Sequence, residues 1–135
     1  MNKRRFIIIG VILIIALGAC LYFTNNKDRF NTDKITIHYD VPSPDEKFFE
    51  ITDENVIKEI TSICSNGTFK RVPRSELLEG LCTIFIDFNN GTVVGLYDDI
   101  DYGYIGKEID IIGGGAVYLP KGLNAYINKL IEENR

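Results

Sequence analysis

The residues best suited to chemistry lie in YDDIDYGYIG, positions 97–106, where Asp98, Asp99 and Asp101 put three carboxylates within four residues and Tyr97, Tyr102 and Tyr104 surround them. Clustered carboxylate oxygens are the donor set that calcium prefers. The loop fails the EF-hand pattern, however. Counting from Asp99, Asp101 falls on the third ligand position, but Tyr104 stands at the sixth, where a glycine must turn the chain. Counting from Asp87 puts Thr92 at that same position. A solvated acidic turn is the plain reading, and the tyrosines extend it to a surface suited to a basic protein partner or a cationic ligand. The same acids are the only plausible active groups of an enzyme here, and general acid–base work would require a cleft that drives their pKa values apart.

The other candidates are sparser. His38 is the single histidine, so no second imidazole is present for a His-rich zinc site. Cys64 falls on the apolar side of an expected helix and Cys82 on the expected core side of a hairpin. If that helix packs on that sheet, the two thiols can meet, and a disulfide closing so short a loop would contribute about 3 kcal/mol. Two separate buried thiols are the alternative. No G-x-S-x-G element supports a serine nucleophile. Gly113-Gly114-Gly115 lacks the Lys-Ser or Lys-Thr of a phosphate loop and reads as a turn or bulge between strands. Lys70, Arg71 and Arg74 form a small basic cluster that could meet an anionic polymer or headgroup. No metal site and no cofactor follow from these residues.

The elements that must position these groups begin after an apolar segment. Phe6 to Phe23 is an uncharged run of eighteen residues behind Lys3, Arg4 and Arg5. As a helix it would span roughly 27 Å, close to a bilayer core. The charged start followed by an apolar stretch is also the layout of a secretory signal. The charge placement favours the N-terminus inside and the remainder outside. Beyond Phe23 there are 12 basic residues against 19 acidic ones, a net charge of −7. Phosphate backbones repel such a surface, so nucleic acid is not an expected partner.

Within the run, Leu17-Gly18-Ala19-Cys20 resembles the bacterial lipobox: an aliphatic residue, two small residues, then the cysteine that carries diacylglycerol. The resemblance implies lipidation of Cys20 and export. Leu21, Tyr22 and Phe23 prolong the apolar run where lipoproteins turn polar, and with Thr24-Asn25-Asn26-Lys27 they look like the interfacial edge of an uncleaved anchor. Anchor, lipoprotein and simple release all remain open at this point. In this N-terminal segment alone the chain resembles the small membrane-anchored surface proteins and lipoproteins of bacteria, and the exported domain carries no motif that names a family.

The expected organisation is a signal-anchor or lipoprotein segment at 1–23, a polar tether at 24–33 and one extracytoplasmic domain at 34–135. ITIHYDV (35–41) alternates as a half-buried strand and FFEI (48–51) as a short one. Thr52 or Asp53 caps a helix bearing Val56, Ile57, Ile60, Ile63 and Cys64 and ending at Asn66-Gly67. TFKRV (68–72) can form a strand before Pro73. Asn90-Gly91 marks a two-residue hairpin loop, which pairs Phe88 with Val93, Ile86 with Gly95 and Ile84 with Tyr97. YIGKEIDII and AVYL can supply two more strands, and a helix after Pro120 carries Leu123, Tyr126, Ile127, Leu130 and Ile131. These elements make an α+β fold, a mostly antiparallel sheet with two amphipathic helices on one face. The function expected of it is a tethered extracytoplasmic binding module. An envelope enzyme using its carboxylates and a self-protection protein that binds a toxin are the alternatives.

Overall fold

The structure is a computed structural model that describes residues 3–76, 80–97, 100–109 and 116–135, with side chains described except at 4, 5, 22–27 and 74. Six antiparallel strands form one sheet in the order β2-β1-β3-β4-β5-β6. They are β1 (Ile35–Tyr39), β2 (Lys47–Ile51), β3 (Ile84–Asp87), β4 (Val93–Leu96), β5 (Tyr102–Gly106) and β6 (Val117–Tyr118). The helices are α1 (Lys3–Asp28), α2 (Glu54–Asn66) and α3 (Leu123–Asn134).

Period-2 alternation decides which side of the sheet is dry. Ile35 and Ile37 of β1, Ile84 and Ile86 of β3, and Val94 and Leu96 of β4 are all buried on one face. The apolar stripes of α2 and α3 close over that face, so both amphipathic helices share one side as their patterning requires. Asp53 starts α2 by accepting from the backbone N–H groups of Asn55 (2.8 Å) and Val56 (3.3 Å), a cap that stabilises by about 0.5–2 kcal/mol.

The hairpin between β3 and β4 differs from the expected register by one residue. Ile84 pairs with Leu96, Phe85 with Gly95, Ile86 with Val94 and Asp87 with Val93, and Phe88 N donates to Thr92 O at 3.0 Å. The loop is therefore Asn89-Asn90-Gly91, with Asn89 (φ 55°) and Gly91 (φ 87°) both left-handed. A one-residue slip turns a strand over. Val94 and Leu96 consequently enter the main core, while Val93 joins Phe85 on the outer face. The turn is three residues long because both asparagines have other work. Asn89 Nδ2 donates to Lys34 O (3.2 Å) and Thr36 Oγ1 (3.1 Å), and Asn90 Nδ2 donates to Arg29 O (3.0 Å) and Asn31 O (2.9 Å).

Those bonds also correct the expected tether at 24–33. The helix continues through Asp28, and Phe30 is only 2 % exposed. Its ring packs against Phe69 (centroids 5.6 Å apart) and Phe88 (5.1 Å). The polar composition of this stretch conceals one aromatic plug and a backbone held by the hairpin tip.

Two further strands are shorter or shifted. In TFKRV only Arg71 makes a β-bridge, to Val117, flanked by Val72 N to Ala116 O and Tyr118 N to Lys70 O. Strand β5 starts at Tyr102, two residues earlier than expected, and so draws that tyrosine out of the acidic loop.

Helix α1 is apolar on every side. Phe6, Ile7, Ile8 and Ile9, which step around its circumference at about 100° per residue, are each more than half exposed. Among the described residues no helix is long and apolar enough to cross a membrane; the described side chains of this apolar stretch run unbroken from Phe6 to Leu21.

Candidate functional site

Strand direction places the β4–β5 loop. Strand β4 leaves the 89–91 tip, which is bonded to Arg29 and Asn31, and runs away from it, so the loop after Leu96 lies at the end of the sheet opposite the entry of α1. Helix α3 fixes this loop. Asn124, buried among apolar neighbours, donates through Nδ2 to Tyr97 O (3.4 Å) and Ile100 O (3.2 Å), and its Oδ1 accepts from Asn128 Nδ2 at 2.6 Å. Leu119 N donates to Asp101 O at 2.8 Å. A buried amide placed like this satisfies carbonyls that a sheet ladder has stopped using.

The expected contact residues separate into three groups. Asp98 and Asp99 lie outside the described residues, as do Gly113, Gly114 and Gly115. Asp101 is exposed at the loop. The tyrosines belong to the outer sheet face, the side opposite α2 and α3. Tyr97 and Tyr104 pack against a small cluster of Val41, Cys82, Phe85 and Val93, and this burial raises the Tyr97 hydroxyl, with Cys82 adding to it. Tyr102 meets Tyr118 edge to face at 5.1 Å. Tyr118 donates a hydrogen bond to Glu76, which pushes its pKa up to about 12. Across the sheet from them, on the same face, Phe48 of edge strand β2 is 66 % exposed beside His38, whose Nδ1 lies 3.1 Å from Glu46 Oε1.

The register expected from the sequence could not assemble this face, because it paired Ile84 with Tyr97 and Ile86 with Gly95 and so put Tyr97 on the core side. With the register corrected, one face carries Phe48, His38, Phe85, Tyr104, Tyr102 and Tyr118 from β2 to β6; Phe85 is buried at its centre, and the other five side chains are partly or well exposed. Among the described residues neither α2 nor α3 covers it, and the short 3-10 turn Arg74–Glu76 reaches its β6 end through Glu76 and Tyr118.

Cys64 and Cys82 are free thiols rather than a disulfide. Cys64 belongs to the core under α2 and Cys82 to the outer cluster, so the sheet separates them. The pairing looked possible because Cys82 shares parity with Ile84; the chain is irregular at 81–83, ahead of β3, and that breaks the alternation. Burial pushes Cys64 up to about 12 and Cys82 to about 11, the opposite of what a nucleophilic thiolate needs. Cys20 is exposed on α1. His38 faces Glu46 with no cysteine beside it, and among the described residues no three metal-ligating side chains converge.

Among the described residues, three concavities accompany these features. A groove of about 630 Å³ runs between Asn31-Thr32-Asp33 and the hydroxyl-bearing side of α2, including Thr61, Ser62 and Ser65. A pocket of about 310 Å³ lies between Arg29, Phe30, Thr68 and Lys70. A third, of about 130 Å³, lies between Asp40, Thr83, Asn128 and Arg135. Thr83 Oγ1 is buried and has no hydrogen-bond partner among the described residues.

No family model, no curated protein and no solved structure matches the chain.

Proposed function

We propose that this chain is a membrane-tethered, extracytoplasmic binding module whose contact surface is the outer face of the sheet around Tyr102, Tyr104 and Tyr118. The observation that carries the reading is the asymmetry of the molecule. One sheet face is closed by two helices, the other carries partly exposed aromatic side chains around a small buried cluster, and the chain enters through a helix that is apolar all round. Such a helix needs an apolar environment on every side, and the uncharged run of eighteen residues supplies about the length of a bilayer core. Aromatic side chains that keep a polar tip are the residues protein interfaces favour. The charge of −7 beyond the run selects a basic partner.

The surface also lies at the right end. Tyr102 begins β5 at the loop remote from α1, where a tethered domain meets something other than its own membrane. The tether itself has two routes, an uncleaved α1 or acylated Cys20, and intact mass separates them. A species beginning at Cys20 with added acyl mass is the lipoprotein, and an unprocessed N-terminus is the anchor.

The contact surface is tested by replacing Tyr102 with a photo-crosslinking phenylalanine analogue in intact cells. A basic partner captured at position 102, and lost when Tyr104→Ala is added, supports the reading. An identical capture pattern with the analogue at Thr68, off this face, contradicts it.

A further inference from the structure

We infer that the pocket bounded by Arg29, Thr68 and Lys70 holds the anionic headgroup of a phospholipid; this rests on the tethered reading and names the lipid beside the tether. The sequence separates the two cations by 41 positions (70 − 29), and the fold brings them to one cavity of about 310 Å³. Phe30 causes this juxtaposition. Its ring is inserted against Phe69, so the residues on either side of that aromatic pair, Arg29 and Lys70, are carried to the same rim.

Charge distinguishes this cavity from the other two. The groove along α2 includes Asp33 and Glu54, and the pocket at the far end includes Asp40, but no carboxylate lines the one between Arg29 and Lys70. Within a portion that carries −7 beyond Phe23, a cavity with two cations and no acid is selective for an anion. The carbonyl end of α2 opposes it only weakly, since the N–H of Gly67 already caps Ile63 O at 3.0 Å.

Its height fits a lipid. If Phe23 marks the hydrocarbon edge, Arg29 lies six residues farther along the chain, about 9 Å at a helical rise, and the headgroup layer is roughly 5–8 Å deep on each side. The Arg29 backbone therefore stands at the outer edge of that layer, its long side chain can reach back to the phosphate level, and Phe30 turns the chain into the domain immediately above it. The basic cluster seen in the sequence is divided accordingly. Lys70 faces this cavity, while Arg71 is used in the bridge to Val117.

The test is native mass spectrometry of the full chain released from nanodiscs containing phosphatidylglycerol and phosphatidylcholine in equal parts. Each cation is worth roughly a fivefold preference, so the wild type should retain phosphatidylglycerol over phosphatidylcholine by roughly 25-fold. Arg29→Gln with Lys70→Gln should bring the ratio to parity, and Lys58→Gln, a cation on the α2 groove, should leave it unchanged. Both replaced side chains are exposed, and far-UV circular dichroism checks that the fold is retained. Parity in the wild type, or an undiminished ratio in the double variant, overturns the lipid site while leaving the tether intact. Displacement of phosphatidylglycerol by millimolar inorganic phosphate would overturn the lipid as the source of the anion. Failure of the chain to enter nanodiscs of either lipid would instead overturn the tethered reading on which the site depends.

Discussion

Replacing Phe30 by alanine should destabilise the folded domain by about 3–5 kcal/mol, although the residue lies in a stretch that reads as solvated linker. The side chain is 2 % exposed and its ring touches two others, Phe69 and Phe88. Removing a fully buried phenylalanine ring loses both its transfer energy and the packing around the cavity left behind, which gives that range. With an m-value of about 1.5 kcal/mol/M for urea, the midpoint should fall by roughly 2–3 M. Because a domain of this size has only about 5–15 kcal/mol in hand, Phe30→Leu supplies a milder companion, expected to lose about 1–1.5 kcal/mol. Tyrosine fluorescence of the full chain in mild detergent is a clean probe, as the sequence has no tryptophan. Asn31→Ala, an exposed residue that bonds its neighbours through its backbone N–H and carbonyl, should stay within about 0.5 kcal/mol of wild type. A loss below about 1 kcal/mol for Phe30→Ala would refute the reasoning and return residues 24–33 to the status of a tether.

Three other outcomes follow from packing and protonation. Thr83→Val removes a buried hydroxyl that has no partner among the described residues and should stabilise by roughly 1 kcal/mol in thermal unfolding, where a loss would mean the hydroxyl is satisfied. Gly103→Ala should destabilise severely, since a methyl there meets the carbonyl oxygen of Gly95 and the side chain of Leu119; a variant with wild-type urea midpoint would contradict the β4–β5 register. Alkali should unfold the domain. Cys64 and Cys82 are raised to about 12 and about 11 by burial, so the neutral thiols favour the folded state, their contribution is complete below the ordinary thiol pKa, and it is lost as pH climbs toward 11–12. Cys64 alone gives a slope of up to about 1.4 kcal/mol per pH unit, Cys82 less because it is nearer solvent. Urea midpoints that stay flat from pH 9 to 11, or a Cys64→Val variant with the wild-type slope, would count against this.

The fold was legible where local rules coincide with tertiary demands. Asp53 caps α2 and its apolar positions follow the 3.6 period, and the alternation of Ile35, Ile37 and Tyr39 gave β1 its buried side. The failures came from residues with two roles. Asn90-Gly91 satisfies the rule for a two-residue turn, yet the Asn89 and Asn90 side chains bind the chain at 29–36, and the turn that permits this is one residue longer. That single residue reversed β4 and misplaced the outer face. Phe30 was missed for a related reason, as one aromatic among polar neighbours has no periodicity to reveal it. The candidate loop was half legible: its acids and tyrosines were visible, but Asn124, which holds it, reads as an ordinary polar position on α3.

The tethered, outward-facing domain is tested most directly by labelling intact cells that carry Asp101→Cys with a membrane-impermeant maleimide. Cys64 and Cys82 are buried with raised pKa values, so they contribute little background, and wild type run in parallel accounts for Cys20. The account predicts that position 101 labels fully from outside and that the labelled chain sediments with membranes. Labelling that appears only after lysis, or a labelled chain recovered free of membranes, would contradict it.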